Sequence, residues 1–119
     1  MGVEAIGGLF FRAEDPDALS AWYKEMLGIG AQGADDWYWR TSGGPVVFAP
    51  FKQTTDYFEA DRQWMLNLRV SEIDALLEKL RAAGVDVITK TEWDAPETGR
   101  FARIHDPEGN PIELWQPPE

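Results

Sequence analysis

A chain of 119 residues, 44% of them apolar, is long enough for one domain with its own core. The absence of cysteine excludes disulfides and thiolate chemistry, and a single histidine confines any metal site mostly to oxygen ligands. A net charge of −10 disfavours nucleic acid and anionic lipid surfaces as partners.

Residues 5–13, AIGGLFFRA, read as a strand, and residues 15–28, DPDALSAWYKEMLG, as a helix. Asp15 is a good N-cap, Pro16 fits the first helical position and Gly28 the stop. Leu19, Trp22, Tyr23, Met26 and Leu27 recur at the spacing of one buried helix face. Short strands at 36–40 and 45–50 follow, joined by SGGP. In the connection over 51–63, Tyr57 and Phe58 read either as a lid or as packed loop anchors. A second strand, 64–70, precedes a second helix, 71–84, capped by Ser71, buried through Ile73, Leu76, Leu77 and Leu80, and ended by Gly84. Strands at 85–90, 100–105 and 111–117 complete the chain, the last two joined by the turn formers DPEGN. No apolar run approaches the ~20 residues of a membrane span, and the first residues lack secretory-signal features, so a cytoplasmic protein is expected.

The two strand–helix units match at an offset of 57, with Phe11-Arg12 over Leu68-Arg69 and Asp17-Ala18-Leu19 over Asp74-Ala75-Leu76. A period that long is an internal duplication and not a solenoid. It divides a single domain, 1–119, into βαβββ-like modules at about 4–50 and 64–117.

The segments FFRAEDPDALSAWYKEMLGI, LRVSEIDALLEKLRAAGV and RFARIHDPEGNPIELWQP resemble the vicinal oxygen chelate superfamily, which includes glyoxalase I, extradiol dioxygenases, fosfomycin-resistance enzymes and bleomycin-resistance proteins. The resemblance covers essentially the whole chain, and DPEGNPIELW is its most specific part. It implies an α+β fold in which two tandem βαβββ modules form a curved glyoxalase/bleomycin-resistance-type sheet with a concave pocket.

Strand residues alternate faces, which sorts pocket from core. Ile112 and Leu114 should pack on the helices, leaving Glu113 and Trp115 on the concave side. Arg103 falls opposite Glu113, and a cross-strand ion pair would account for both. The same alternation sends Phe10, Arg12, Val47, Met65, Asn67 and Arg69 to that face. Either Trp37 and Trp39 or Tyr38 joins them, the tryptophans being preferred. Apolar walls with a few convergent polar groups suit a small-molecule pocket.

Metal-dependent members of the superfamily hold a divalent ion with one residue from each of four strands, usually two histidines with carboxylates or a glutamine. By resemblance those positions are Gly8, Val47, Met65 and Glu113 here, and only the last is a ligand type. No cofactor is expected. His105 lies two residues along the neighbouring strand, ~7–8 Å from Glu113, too far to share an ion. It reads as a strand-end histidine bonded to backbone or water, the alternative being a ligand-contacting or acid–base group.

The resemblance thus implies a metal-independent binding protein, likened to the bleomycin-resistance branch, taking an aromatic or antibiotic-like ligand in a groove lined by tryptophan and arginine. A homodimer accompanies that reading. The alternative is a lyase, isomerase or dioxygenase with a modified site, Glu113 acting as base and Arg103 stabilising an oxyanion. The acidic surface favours a cationic ligand whereas Arg12, Arg69 and Arg103 favour an anionic or carbonyl-bearing one. Local groups in a low-dielectric pocket should outweigh screened surface charge.

Overall fold

The computed structural model describes residues 2, 6–30, 39–44 and 46–119. Helix α1, Pro16–Leu27, starts where Asp15 accepts the Ala18 N–H at 3.1 Å, and it ends at Gly28, whose φ of 69° is left-handed. Leu19 and Tyr23 are buried on its inner face, with Trp22, Met26 and Leu27 packed partly against them.

Strand β1, Leu66–Arg69, leads into α2, Ile73–Ala82. The expected Ser71 cap is not used. Glu72 takes the N-cap position at φ 50° with no side-chain cap bond, and the Ile73 N–H donates to the Gln116 side chain at 2.7 Å. The helix start is therefore satisfied by the far end of the chain, a partner that local pattern does not announce. Past the helix, Val85 N–H returns to the Leu80 carbonyl at 2.9 Å and Gly84 has φ 85°, as a glycine stop requires.

A 3₁₀ turn at Thr91–Trp93 precedes β2, Arg100–His105, and β3, Pro111–Gln116. The sheet order is β1-β3-β2, with β1 parallel and β2 antiparallel to β3. Arg103 stands opposite Glu113 and His105 opposite Pro111, without a bulge. Ile112, Leu114, Ala102 and Ile104 point to the helices and form one core with Leu19, Tyr23, Ile73, Leu77 and Leu80. Of the strand expected at 85–90, only Ile88 joins the sheet, bridging to Arg103.

The result is a small α+β fold with a mixed open sheet and two helices. Among the described residues, all paired strands belong to the second half. Residues 6–13 and 46–50, expected as strands, lie outside any ladder, as do Trp39 and Arg40 of the strand expected at 36–40. A strand needs a neighbour to take its N–H and C=O groups. Here the apolar side chains remain outside as well: Phe10 is 94% exposed and Phe48 81%.

The DPEGN loop ties α1 to the hairpin. Asp106, buried, accepts the Glu108 and Asn110 N–H groups at 2.9 and 3.0 Å, and the Tyr23 hydroxyl and Asn110 amide at 2.8 Å each. Glu108 accepts the Glu14 N–H at 2.7 Å and the Asp15 N–H at 3.2 Å. Burial raises the Tyr23 phenol well above its ordinary range, and the bond to Asp106 adds to it.

Candidate functional site

The face of the sheet turned from the helices carries Asn67 on β1, Glu113 and Trp115 on β3, and Phe101 and Arg103 on β2. Period-two alternation, with the opposite residues locked in the core, leaves them no other side. Phe101 stacks on Trp115 with centroids 6.4 Å apart and planes 9° off parallel. The indole is held by its Nε1–H, which donates to the Thr98 carbonyl at 2.8 Å. Around this pair lies a groove of about 460 Å³, lined chiefly by Val47, Ala49, Phe51, Met65, Asn67, Phe101 and Trp115. A second hollow, of about 420 Å³ between Asp94–Arg100 and Gln116–Glu119, does not touch the Glu113 cluster.

Along the same strands the groove gives way to a polar cluster. Glu113, 7% exposed, accepts the Asn67 amide at 2.8 Å through Oε1 and the Tyr57 hydroxyl through Oε2. Arg103, 5% exposed, donates through Nη1 to the Tyr57 carbonyl at 2.9 Å. Its guanidinium lies over the rings of Tyr57 and Trp93, 4.8 and 5.4 Å from their centroids. Its Nε and Nη2 are buried and meet no acceptor among the described residues.

The expected Arg103–Glu113 bond is thus replaced. The register is the one expected, but Tyr57 enters from the connection and takes both partners, its hydroxyl on one and its carbonyl and ring on the other. Burial pushes the Tyr57 phenol up to about 12, helped by the Glu113 bond and charge and opposed by Arg103. The phenol is a neutral donor at ordinary pH.

The remaining expected site residues fall in different places. Val47, Met65, Asn67 and Trp115 line the groove. Arg69 donates through Nη2 to the Ser42 and Gly43 carbonyls at 3.3 and 3.0 Å, beside Gly44. Phe10, Arg12 and Trp39 are exposed and do not border the groove. Trp37 and Tyr38 lie outside the described residues. His105, expected to bond backbone or water, meets a side chain instead, its Nε2 lying 2.7 Å from Glu59 Oε1.

Phe101, Phe51 and Trp93 were not anticipated at the site. Phe101 was legible, since it sits two residues before Arg103 on a strand of known face. Trp93 lies in a short turn with no periodicity, and Phe51 in the connection, where no pattern assigns a direction.

The metal positions implied by resemblance do not fit an ion. Gly8 and Val47 offer no donor, Met65 offers one soft sulfur, and both oxygens of Glu113 are engaged by donors. Among the described residues, no group of three or more histidine and acidic side chains is placed to hold a metal.

A small α+β fold with a mixed open sheet backed by helices is consistent with the glyoxalase-like class. A family model for the glyoxalase-like domain matches residues 8–115, and the chain belongs to that family within the vicinal oxygen chelate superfamily. Among solved structures it is similar to TnmS3, an antibiotic binding protein from Streptomyces sp. CB03234, at 25% identity and a TM-score of 0.60, with 98% of each chain covered. It is also similar to the integron cassette protein HFX_CASS4 from the mobile metagenome of the Halifax Harbour sewage outfall, at 27% identity and a TM-score of 0.57 over 93% of this chain and 99% of that one. No curated protein matches the chain with significance. Among the described residues no helix is long and apolar enough to cross a membrane.

Proposed function

We propose that this protein binds a planar aromatic or antibiotic-like small molecule in the groove, without a metal. The observation that carries the reading is the stacked Phe101–Trp115 pair in an apolar groove of about 460 Å³, whose wall residue Asn67 donates to the buried Glu113. Flat apolar walls supply area and stacking, and the few polar groups set orientation. The antibiotic-binding likeness of TnmS3 supports the same reading. Of the residues expected from sequence, Val47, Met65, Asn67 and Trp115 would contact the ligand at the wall, with Glu113 behind Asn67 and Arg103 across the strand from it. The donor set at Gly8, Val47, Met65 and Glu113 supports independence from metal.

A homodimer belongs to this proposal. Phe10, Val46, Val47, Phe48 and Trp64 are all exposed, and a second copy that covers them would remove that apolar surface from water. Sedimentation should give twice the mass of one chain.

Calorimetric titration with planar aromatic antibiotics tests the binding. At least one compound should bind saturably, and Trp115→Ala should weaken it about tenfold or more. Treatment with a chelator should leave the affinity unchanged. A tightly held stoichiometric divalent ion in the purified protein would sink the metal-free reading.

A further inference from the structure

Arg103 is a buried cation with one edge unused. Its Nη1 is spent on the Tyr57 carbonyl, while Nε and Nη2 are buried without an acceptor. Those two N–H groups lie on the same side of the guanidinium and form a fork that matches one or two adjacent oxygens. Leaving such donors buried and unmet is costly, so the site is built for an acceptor that the described residues do not supply.

Glu113, the cross-strand neighbour, presents the complementary need. Its carboxylate is buried and filled by two donors, Asn67 and the Tyr57 hydroxyl. Asn67 is fixed on β1, but Tyr57 comes from the connection, where no ladder bond holds it. The Arg103 guanidinium lies over the Tyr57 ring, 4.8 Å from its centroid, and the phenol donates to the carboxylate. The Tyr57 hydroxyl thus occupies the carboxylate oxygen that a ligand hydroxyl would use.

We propose that Tyr57 is an internal stand-in for the ligand, and that the site takes an uncharged planar aromatic bearing a phenolic hydroxyl near a carbonyl, which enters by displacing Tyr57. The proposal rests on the ligand-binding reading above and names the chemistry of its polar end. The ligand hydroxyl replaces the Tyr57 hydroxyl on Glu113, and its carbonyl oxygen meets the unused fork of Arg103. Its ring then extends toward the Phe101–Trp115 wall of the same sheet face. Charge selects a neutral molecule: Arg103 and Glu113 already balance, so a carboxylate ligand would leave a net buried charge beside Glu113. The raised phenol of Tyr57, at about 12, agrees with a site that holds a hydroxyl in its neutral, donating form.

The test is calorimetric titration with 2- and 3-hydroxyacetophenone, their methyl ethers, and benzoate. At least one hydroxy compound should bind, with its methyl ether weaker by roughly tenfold or more because the buried carboxylate loses a donor. Benzoate should bind more weakly than either hydroxy compound. Tyr57→Phe should bind the hydroxy compound several-fold more tightly, since the competing hydroxyl is gone, and circular dichroism verifies that it is folded. Should that variant fail to fold, Glu113→Gln serves instead and should narrow the gap between hydroxy compound and methyl ether. Equal affinity for the two compounds, or unchanged or weaker binding by Tyr57→Phe, overturns the inference. If planar antibiotics bind and no hydroxyacetophenone does, this inference falls and the binding reading stands. If none of the compounds binds, both fall.

Discussion

The two halves of the chain carry nearly the same pattern and reach different states. In the second half, β2 and β3 pair with each other, β1 adds along β3, and Ile104, Ile112 and Leu114 are fully buried under α2. In the first half, α1 forms and packs, but residues 6–13 and 46–50 stay unpaired with Phe10 and Phe48 outside. An apolar, alternating segment becomes a strand only when a partner edge lies within reach. The second half supplies its own partner through a five-residue turn; within one chain the described first-half segments have none.

Core truncation separates the halves most sharply. Leu114→Ala should cost about 2–5 kcal/mol in urea unfolding, since it opens a cavity in a fully buried layer. Val47→Ala, at an exposed position, should stay within about 0.5 kcal/mol. If Val47→Ala costs as much as Leu114→Ala, the first half is packed in solution against something other than this chain. A loss that shrinks on dilution would identify a second copy.

Asp106→Ala tests the joint between the halves. It strands the buried Tyr23 hydroxyl and the loop N–H groups, at a cost of about 1–3 kcal/mol. Because Tyr23 belongs to α1, the loss should include faster hydrogen exchange across that helix while the β2–β3 amides stay protected. Equal acceleration in both would mean that the halves open together.

What was legible follows from the range of the interactions. The helices were readable because caps and periodicity are local: Asp15, Pro16 and Gly28 all stand where expected. The hairpin was readable for the same reason, down to the Arg103–Glu113 register. Ser71 misled because the start of α2 is met by Gln116, more than forty residues away. The polar site was half legible, since alternation placed Arg103, Glu113 and Asn67 on one face. It did not place Tyr57, whose segment has no period, and Tyr57 decides how Arg103 and Glu113 are paired.

Alkaline titration probes that clasp with a smaller effect. Tyr57 is raised from 10.0 to about 12 in the folded chain, so the unfolded chain releases its proton first as pH rises. The stabilisation is full below 10.0 and fades as pH climbs toward 12. Tyr23 is raised as well and acts with the same sign, so the Tyr57 part is the difference between wild type and Tyr57→Phe. The fall in urea midpoint between pH 9 and 11 should be shallower in the variant. Parallel curves would mean that the phenol is not buried against Glu113.

Glu59 should give the smallest effect and marks the outer edge of the same clasp. Burial raises its carboxyl, but its own N–H, the His105 bond and the charges of His105 and Arg103 outweigh that and hold it below 4.5. A depressed acid stabilises above its unfolded value, and that contribution is lost as pH falls through the lower, folded one. The contact is solvent-exposed, so Glu59→Gln should cost under about 1 kcal/mol at neutral pH. Its difference from wild type should shrink as pH falls below 4.5 and through the lower, folded value. A cost well above that range, or one that persists in acid, would show that this arm of the connection is held by shape and not by charge. Tyr57 would then be anchored more firmly at the site than one displaceable hydroxyl requires.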